Sequence, residues 1–342
     1  MADAKVTSSC LIINPSAGSA ATIMGRLTRA ARERGIAVRV LEPGENARHA
    51  ALEAAEDGAE SLAVAGGDGS VAAVAGVAVE RNLPLAVVPT GTLNHFARDL
   101  GLDLLRPLRA LDAFDAGHHE RRVDVGRING RPFINNVSLG VYAEMLGDPG
   151  YRKDKLGVAQ AKLQAAFSDP KLRRGMRITP PGEAPLESIV AAVVSNNPYE
   201  FARWNRLGQR NRLDTGTLQI SVLDAGTLDE LERLIAGTLL GAINFRPALR
   251  RWASEHLETG ILGEVVHAGI DGEPTVLEAP LRFSVEPGAL RVLVPEVSQA
   301  NRQVPPLEAG WHAARALSRW LRPPASSQPA DRSYPARGGG IE

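Results

Sequence analysis

Few folds accommodate a stretch such as Leu62-Ala63-Val64-Ala65-Gly66-Gly67-Asp68-Gly69-Ser70. Four apolar residues read as a buried strand, the glycines break it, and small residues from Ser70 to Glu80 read as a helix starting at once. Glycines at a strand-to-helix turn permit positive φ and let a bulky anion reach the backbone amides with no Cβ in the way. That is the chemistry of a phosphate site. Asp68 would repel a bare phosphate, so its place in the turn makes sense if a metal ion or a hydroxyl stands between them. Taken alone, the same four residues also describe a tight turn closed by an Asx-type side-chain bond.

The flanking sequence repeats the pattern. Leu11 to Asn14 reads as a strand ending in Pro15-Ser16-Ala17-Gly18, followed by a helix from Thr22 to Arg34 stopped by Gly35. Ile36 to Leu41 alternates like a strand, and Asn46 to Asp57 is an alanine-rich helix stopped by Gly58. After the glycine turn, Leu85 to Val88 gives another strand, broken by Pro89-Thr90-Gly91, with a helix over Thr92 to Leu100 and a further one around Leu108 to Ala116. Apolar strands alternating with helices predict a parallel sheet covered on both faces. Ligands bind such sheets at the carboxyl ends of the strands. The turns Asn14 to Gly18, Gly66 to Ser70 and Pro89 to Asn94 would therefore line one edge.

Beyond about position 120 the pattern changes to short strands. Arg122 to Ile128 and Pro132 to Val137 flank Asn129-Gly130, a hairpin signal. Strands are also expected at Gly175 to Thr179, Ser188 to Ser195, Leu218 to Leu223, Val265 to Ile270, Leu281 to Val285 and Ala289 to Val294. Helical segments fall near Lys155 to Phe167 and Leu228 to Leu240. The expected organisation is an α/β domain with a parallel sheet over 1–120, a β-sandwich domain over 121–298, and a tail over 299–342 whose Pro-, Ser-, Arg- and Gly-rich end reads as disordered.

With Lys+Arg and Asp+Glu both at 39 of 342 residues, no global basic field points to nucleic acid. The single cysteine, Cys10, permits no disulfide within the chain and fits a reducing cytoplasm. The N-terminal MADAKVTSSC lacks the features of a signal peptide, and no apolar run reaches the roughly eighteen residues of a membrane span.

Taken in order, Asn14-Pro15-Ser16-Ala17-Gly18, Gly66-Gly67-Asp68-Gly69-Ser70 and Pro89-Thr90-Gly91-Thr92-Leu93-Asn94-His95-Phe96-Ala97-Arg98 form a set that resembles the diacylglycerol kinase catalytic-domain family. That family includes sphingosine kinases and bacterial lipid kinases and is distantly related to NAD kinases. The resemblance continues through Asn135-Asn136-Val137-Ser138-Leu139-Gly140 and Asp271-Gly272-Glu273-Pro274. It implies an ATP site walled by Asn14, Gly18, Gly66, Gly67, Asp68, Gly69, Ser70, Thr90, Gly91, Thr92 and Asn94, with Ser70 standing where threonine is usual. It also implies a general base at Asp271, with Glu273 of the same motif and Asp68 completing the catalytic set. A carboxylate in that role can take the proton of a lipid hydroxyl as it attacks the γ-phosphate. Without the other motifs, Asp271-Gly272 reads as an ordinary hairpin turn.

Two further departures bear on metal binding. Many members carry an aspartate after the asparagine of the third motif, part of a water-and-magnesium network; here the residue is His95, a poor ligand for Mg²⁺. The resemblance leaves Asp68 and Asp124 to hold Mg²⁺ with the ATP phosphates and water, and His95 either pairs with a phosphate or faces solvent. Bacterial relatives often place a metal-binding aspartate where this chain has Thr215. Asp214 is one residue out of register, so a structural metal site is not expected.

The resulting expectation is an ATP- and Mg²⁺-dependent kinase for a diacylglycerol-like or sphingoid-like lipid hydroxyl, cytoplasmic and meeting its substrate at the inner face of a membrane. An NAD kinase-like enzyme and a non-catalytic nucleotide- or lipid-binding protein are the alternatives. A homodimer is left open. Trp311 to Arg322 sets Ala313, Ala314, Leu317, Trp320 and Leu321 on one helical face and His312, Arg315, Arg319 and Arg322 on the other. That segment would lie in a membrane interface or pack on the protein itself.

Overall fold

The computed structural model describes residues 9–116, 118–150, 176–186, 189–199, 209–223, 249–261 and 264–296, with isolated positions between 151 and 175. The helices expected over 228–240 and 311–322, most of that over 155–167, and the tail from 299 onward lie outside the described residues.

The first strands are β1 (Ser9–Ile13), β2 (Ala37–Val40), β3 (Ser61–Gly66) and β4 (Leu85–Pro89), parallel and in the order β2-β1-β3-β4. Every residue of β1, β3 and β4 is buried because both faces of the sheet are covered. Cys10, Ile12, Leu62 and Val64 pack with Ala50 and Ala51 of α2 (Ala47–Glu56) and Val71, Val74 and Ala78 of α3 (Asp68–Glu80). The alternate residues Leu11, Ile13, Ala63 and Ala65 pack with Leu27 and Ala31 of α1 (Ala20–Glu33). The small, apolar composition of α3 follows from its position: six of its residues are buried, on more than one side. Because β2 and β3 lie on opposite sides of β1, the order of strand addition reverses there, and a crevice opens at the carboxyl ends of β1 and β3.

Two expected helices differ. The segment after β4 becomes helical only at α4 (His95–Asp99), since Asn94 adopts the left-handed conformation (φ 51°) and holds the preceding turn. Residues Pro107–Phe114 form a 3-10 helix in place of an α-helix.

The sheet continues beyond the parallel strands. β5 (His119–Ile128) turns at Asn129-Gly130, both with positive φ, into β6 (Arg131–Phe133). The strand expected over 132–137 is divided: the chain leaves the first sheet at Ile134-Asn135 and enters a second sheet as β7 (Asn136–Gly140), which leads into α5 (Val141–Leu146). Then come β8 (Met176–Ile178), β9 (Ala191–Asn196), β10 (Leu218–Leu223), β11 (Leu249–Ser254), β12 (His256–Ile261), β13 (Val265–Ile270), β14 (Glu273–Glu278) and β15 (Leu281–Val294). β15 joins two strands expected separately, with a register shift opposite β5 between Glu286 and Leu290. Its end pairs in parallel with β4 and its start pairs antiparallel with β12, so among the described residues one mixed sheet of nine strands spans the molecule.

The second sheet runs β11-β10-β9-β7-β13-β14, entirely antiparallel. Its Val137, Leu139, Val194 and Ile220 pack against Ile128, Phe133, Leu281 and Phe283 of the first sheet, giving the expected sandwich.

Candidate active site

The three expected turns meet at the carboxyl ends of β1, β3 and β4. The Asn14 amide donates to the Ala65 carbonyl (2.9 Å), and its Nδ2 donates to Ser70 Oγ (2.9 Å), tying the first turn to the start of α3. Gly18 has φ +46°, and the next amide, of Ser19, donates to the Thr90 carbonyl (2.9 Å). Gly67 and Gly91 touch backbone to backbone; a Cβ on Gly91 would lie 2.5 Å from Gly67 Cα. Asn94 closes its own turn, with Oδ1 accepting from the Gly91 amide (2.9 Å) and Nδ2 donating to the Gly91 carbonyl (2.7 Å). Its side chain is thereby committed to loop shape. Thr90 is fully buried, with no partner for its hydroxyl among the described residues, whereas Thr92 is exposed.

Asp68 is the first residue of α3, and its Oδ1 accepts the amide of His95 at the start of α4 (2.7 Å). A carboxylate near two helix N-termini is favoured by both sets of free amides. Burial holds the His95 imidazole below its ordinary pKa, with Asp68 pulling the other way. The ring is therefore neutral near pH 7.

Asp271 heads the turn from β13 to β14 in the left-handed conformation (φ 50°). Its Oδ2 accepts from the Ile134 amide (2.9 Å), and its Oδ1 accepts from the amides of Asn135 (2.7 Å) and Asn136 (3.0 Å). Those amides are free because the chain is crossing between sheets at that point. Burial pushes the Asp271 carboxyl up to about 6, and the amides and Arg210 oppose that rise. Two residues on, Glu273 Oε1 lies 2.7 Å from where a Cβ on Gly69 would stand, so the second sheet reaches the first turn of α3.

Asn14, Gly67, Gly69, Ser70, Asp271 and Glu273 all line one cavity of about 800 Å³. Gly18, Gly66, Asp68, Thr90, Gly91, Thr92 and Asn94 lie outside that lining, and so does Asp124. It sits at the β15 irregularity, where Oδ1 accepts the Gly288 amide (2.9 Å) and Oδ2 the Gly216 amide (2.7 Å). Thr215 donates through its amide (2.8 Å) and its hydroxyl (2.7 Å) to Asn197 Oδ1, and Asp214 pairs with Arg212 at the surface (2.9 Å). Among the described residues no group of three or more His, Cys, Asp or Glu is placed to hold a metal.

Sequence reasoning missed Arg210 and Asp99. Their ion pair (2.7 Å) has side chains 0% and 1% exposed and lies beside the 134–136 segment. Asp99 directly follows the expected third motif. No local signal could have paired it with an arginine 111 residues away.

The family model for the diacylglycerol kinase catalytic domain matches residues 8–128. The chain is 33% identical to a protein of Pseudomonas aeruginosa named "Probable lipid kinase YegS-like", over 81% of this chain and 91% of that one. It is 32% identical to a "Diacylglycerol kinase" of Bacillus subtilis, over 57% of this chain and 65% of that one. The crystal structure of a putative diacylglycerol kinase from Bacillus anthracis shares the fold, with a TM-score of 0.64 at 21% identity, over 86% of this chain and 98% of that one. No described helix is long and apolar enough to cross a membrane. A glycine turn at the carboxyl end of a parallel sheet, a second sheet presenting carboxylates to it, and identity sustained over most of both chains lead to one conclusion: this chain belongs to the diacylglycerol kinase catalytic-domain family and is a lipid kinase, with ATP as the phosphoryl donor its family implies.

Proposed function

We propose that the protein transfers the γ-phosphate of ATP to the hydroxyl of a diacylglycerol-like or sphingoid-like lipid, with Mg²⁺, at the cytoplasmic face of a membrane. In this reading residues 1–120 hold the nucleotide and 121–298 present the acceptor. The first-turn amides of α3, after Gly66 and Gly67, receive phosphate oxygens, assisted by the Ser70 hydroxyl that Asn14 orients. Thr90, Gly91, Thr92 and Asn94 shape the opposite wall, and Gly18 lets the first turn close on it. Asp271 accepts the proton of the lipid hydroxyl, and Glu273 holds the acceptor side against the first turn of α3.

Bound Mg²⁺ would neutralise charge on the phosphates and keep them in line. The donor set fits a hydrated ion: Asp68 uses Oδ1 for the His95 amide, leaving Oδ2 for a metal-bound water. Asp124, with one amide on each oxygen, would act through water rather than as a direct ligand.

The observation carrying this reading is that Asp271 and Glu273 of the second sheet share a cavity with Asn14, Gly67 and Ser70 of the first. It is tested by incubating the purified protein with labelled ATP, Mg²⁺ and separate lipid alcohols (a diacylglycerol, a monoacylglycerol, a sphingoid base, phosphatidylglycerol), with NAD as a further arm. Label appearing in one lipid is the expected result. Label in NAD alone, or in nothing while nucleotide binds, would overturn it.

A further inference from the structure

Among the described residues the Asp271 carboxylate is held by backbone amides alone, so whatever fixes the Ile134–Asn136 backbone also fixes the proposed base. That backbone is gripped from its other side by Arg210, with Asn196 Nδ2 adding a bond to the Ile134 carbonyl (3.2 Å). Arg210 Nη1 donates to the carbonyls of Ile134 (2.6 Å) and Asn196 (2.9 Å), and Nη2 donates to Asn135 Oδ1 (2.7 Å). Its Nε donates to Asp99 Oδ2 (2.7 Å) and its amide to Asp99 Oδ1 (3.1 Å), which anchors the guanidinium to the end of α4. The Tyr199 ring lies 5.6 Å from the guanidinium carbon, and the Tyr199 hydroxyl accepts from Asn136 Nδ2 (3.0 Å).

We infer that Arg210 is a positioning residue for phosphoryl transfer, holding the 134–136 amides on Asp271 while tying that segment to helix α4 behind the nucleotide turns. The inference rests on the reading of Asp271 as the base. The arrangement suits arginine and no other residue. A planar fork can satisfy carbonyls and an amide oxygen on one side and a carboxylate on the other, whereas lysine offers a single point of charge. Because α4 begins at the amide that Asp68 accepts, the same short helix touches the glycine turn at its start and Arg210 at its end. Among the described residues, the charged and titratable groups around Asp271 are Arg210 from the loop before β10, Tyr199 after β9, and Glu273 of β14 in the same cavity lining, with Asp99 paired to Arg210. Arg210 and the three amides all favour the ionised carboxylate, so loosening them should raise the titration midpoint.

The test compares Arg210→Lys and Asn135→Ala with the wild type, as full chains. Asn135→Ala removes one acceptor and leaves the Arg210–Asp99 pair intact, so it can be read even where Arg210→Lys does not fold. Aspartate labelled at Cγ with ¹³C gives a titration curve for Asp271, assigned by the signal lost in Asp271→Asn. The expected result is a midpoint raised by about 0.5 pH unit or more, with kcat reduced and the KM for ATP kept within about two-fold. An unmoved midpoint in a folded variant overturns the inference, whatever happens to turnover. A raised midpoint with unchanged kcat overturns it too, since the reaction would then not depend on that geometry. Wild-type turnover in Asp271→Asn would instead sink the assignment of the base, a separate outcome that the titration does not share.

Discussion

Glu273 and Gly69 meet across the cleft between the two sheets, the carboxylate Oε1 standing 2.7 Å from the position a Cβ on Gly69 would take. A glycine in the first turn of α3 thus makes room for an acidic side chain from β14. Gly69→Ala would displace Glu273, whose exposed side chain can swing away at little cost. Helix propensity favours alanine by about 0.5–1 kcal/mol, so Tm should not fall. Turnover should drop about ten-fold, and Glu273→Ala should drop it similarly. In the double variant the losses should not add, because both act on one contact. Additive losses would show that the two residues act separately.

Asp271→Asn should lower kcat by about 10²- to 10⁴-fold with ATP affinity nearly unchanged. The wild-type rate should rise with pH through about 6, the value to which burial pushes this carboxyl, because the base works only when ionised. Stability should run the other way. A carboxyl whose folded pKa lies above its unfolded value binds more protons in the native state between the two values, so its contribution is full below about 4 and is lost as pH rises through about 6. Asp271→Asn should flatten that part of the stability profile. Equal losses in turnover and ATP binding, or a wild-type rate flat across pH 5 to 7, would mark Asp271 as structural.

Much of this was legible in the sequence because glycine and proline punctuate the parallel half sharply. The end of β3 follows from Gly66-Gly67, and the Asn129-Gly130 hairpin from its turn residues. The strands that escaped, β11, β12 and β14, are polar in sequence, and β11 and β14 are sheet edges where one side needs no strand partner. β14 even carries Pro274, which an edge tolerates. β15 was read as two strands because Pro287-Gly288 looks like a break; the chain passes through it since Asp124, 164 positions away, accepts the Gly288 amide. The triad of amides on Asp271 was illegible for a related reason, since backbone donors leave no mark in a sequence.

The pairing of Gly67 with Gly91 separates loop packing from phosphate approach. A Cβ on Gly91 would collide with Gly67 Cα at 2.5 Å, whereas a Cβ on Gly67 meets nothing nearer than Gly91 Cα at 3.7 Å, an ordinary contact. Gly67→Ala should therefore fold normally and weaken ATP binding about ten-fold or more by placing a methyl where phosphate must approach. Gly91→Ala should lose stability as well as affinity. Thermal melts and nucleotide titrations on both variants check this, and unimpaired binding in Gly67→Ala would place the phosphates elsewhere.

The loop before β10 should hold its shape without a metal ion. Where bacterial relatives often have an aspartate ligand, Thr215 donates twice to Asn197 Oδ1, its hydroxyl lies 2.9 Å from that of Thr217, and the next amide, Gly216, is taken by Asp124. Asn197 is fully buried and left-handed (φ 68°), so its side chain is fixed for this purpose. A chelator should then leave the Tm of the nucleotide-free protein unchanged. Asn197→Ala should lower stability by about 1 kcal/mol, since it removes the acceptor of two part-buried donors, and added Mg²⁺ should not restore it. The outcome that sinks this account is a Tm that falls on chelation and recovers with Mg²⁺, which would show a cation doing what these hydrogen bonds are assigned to do.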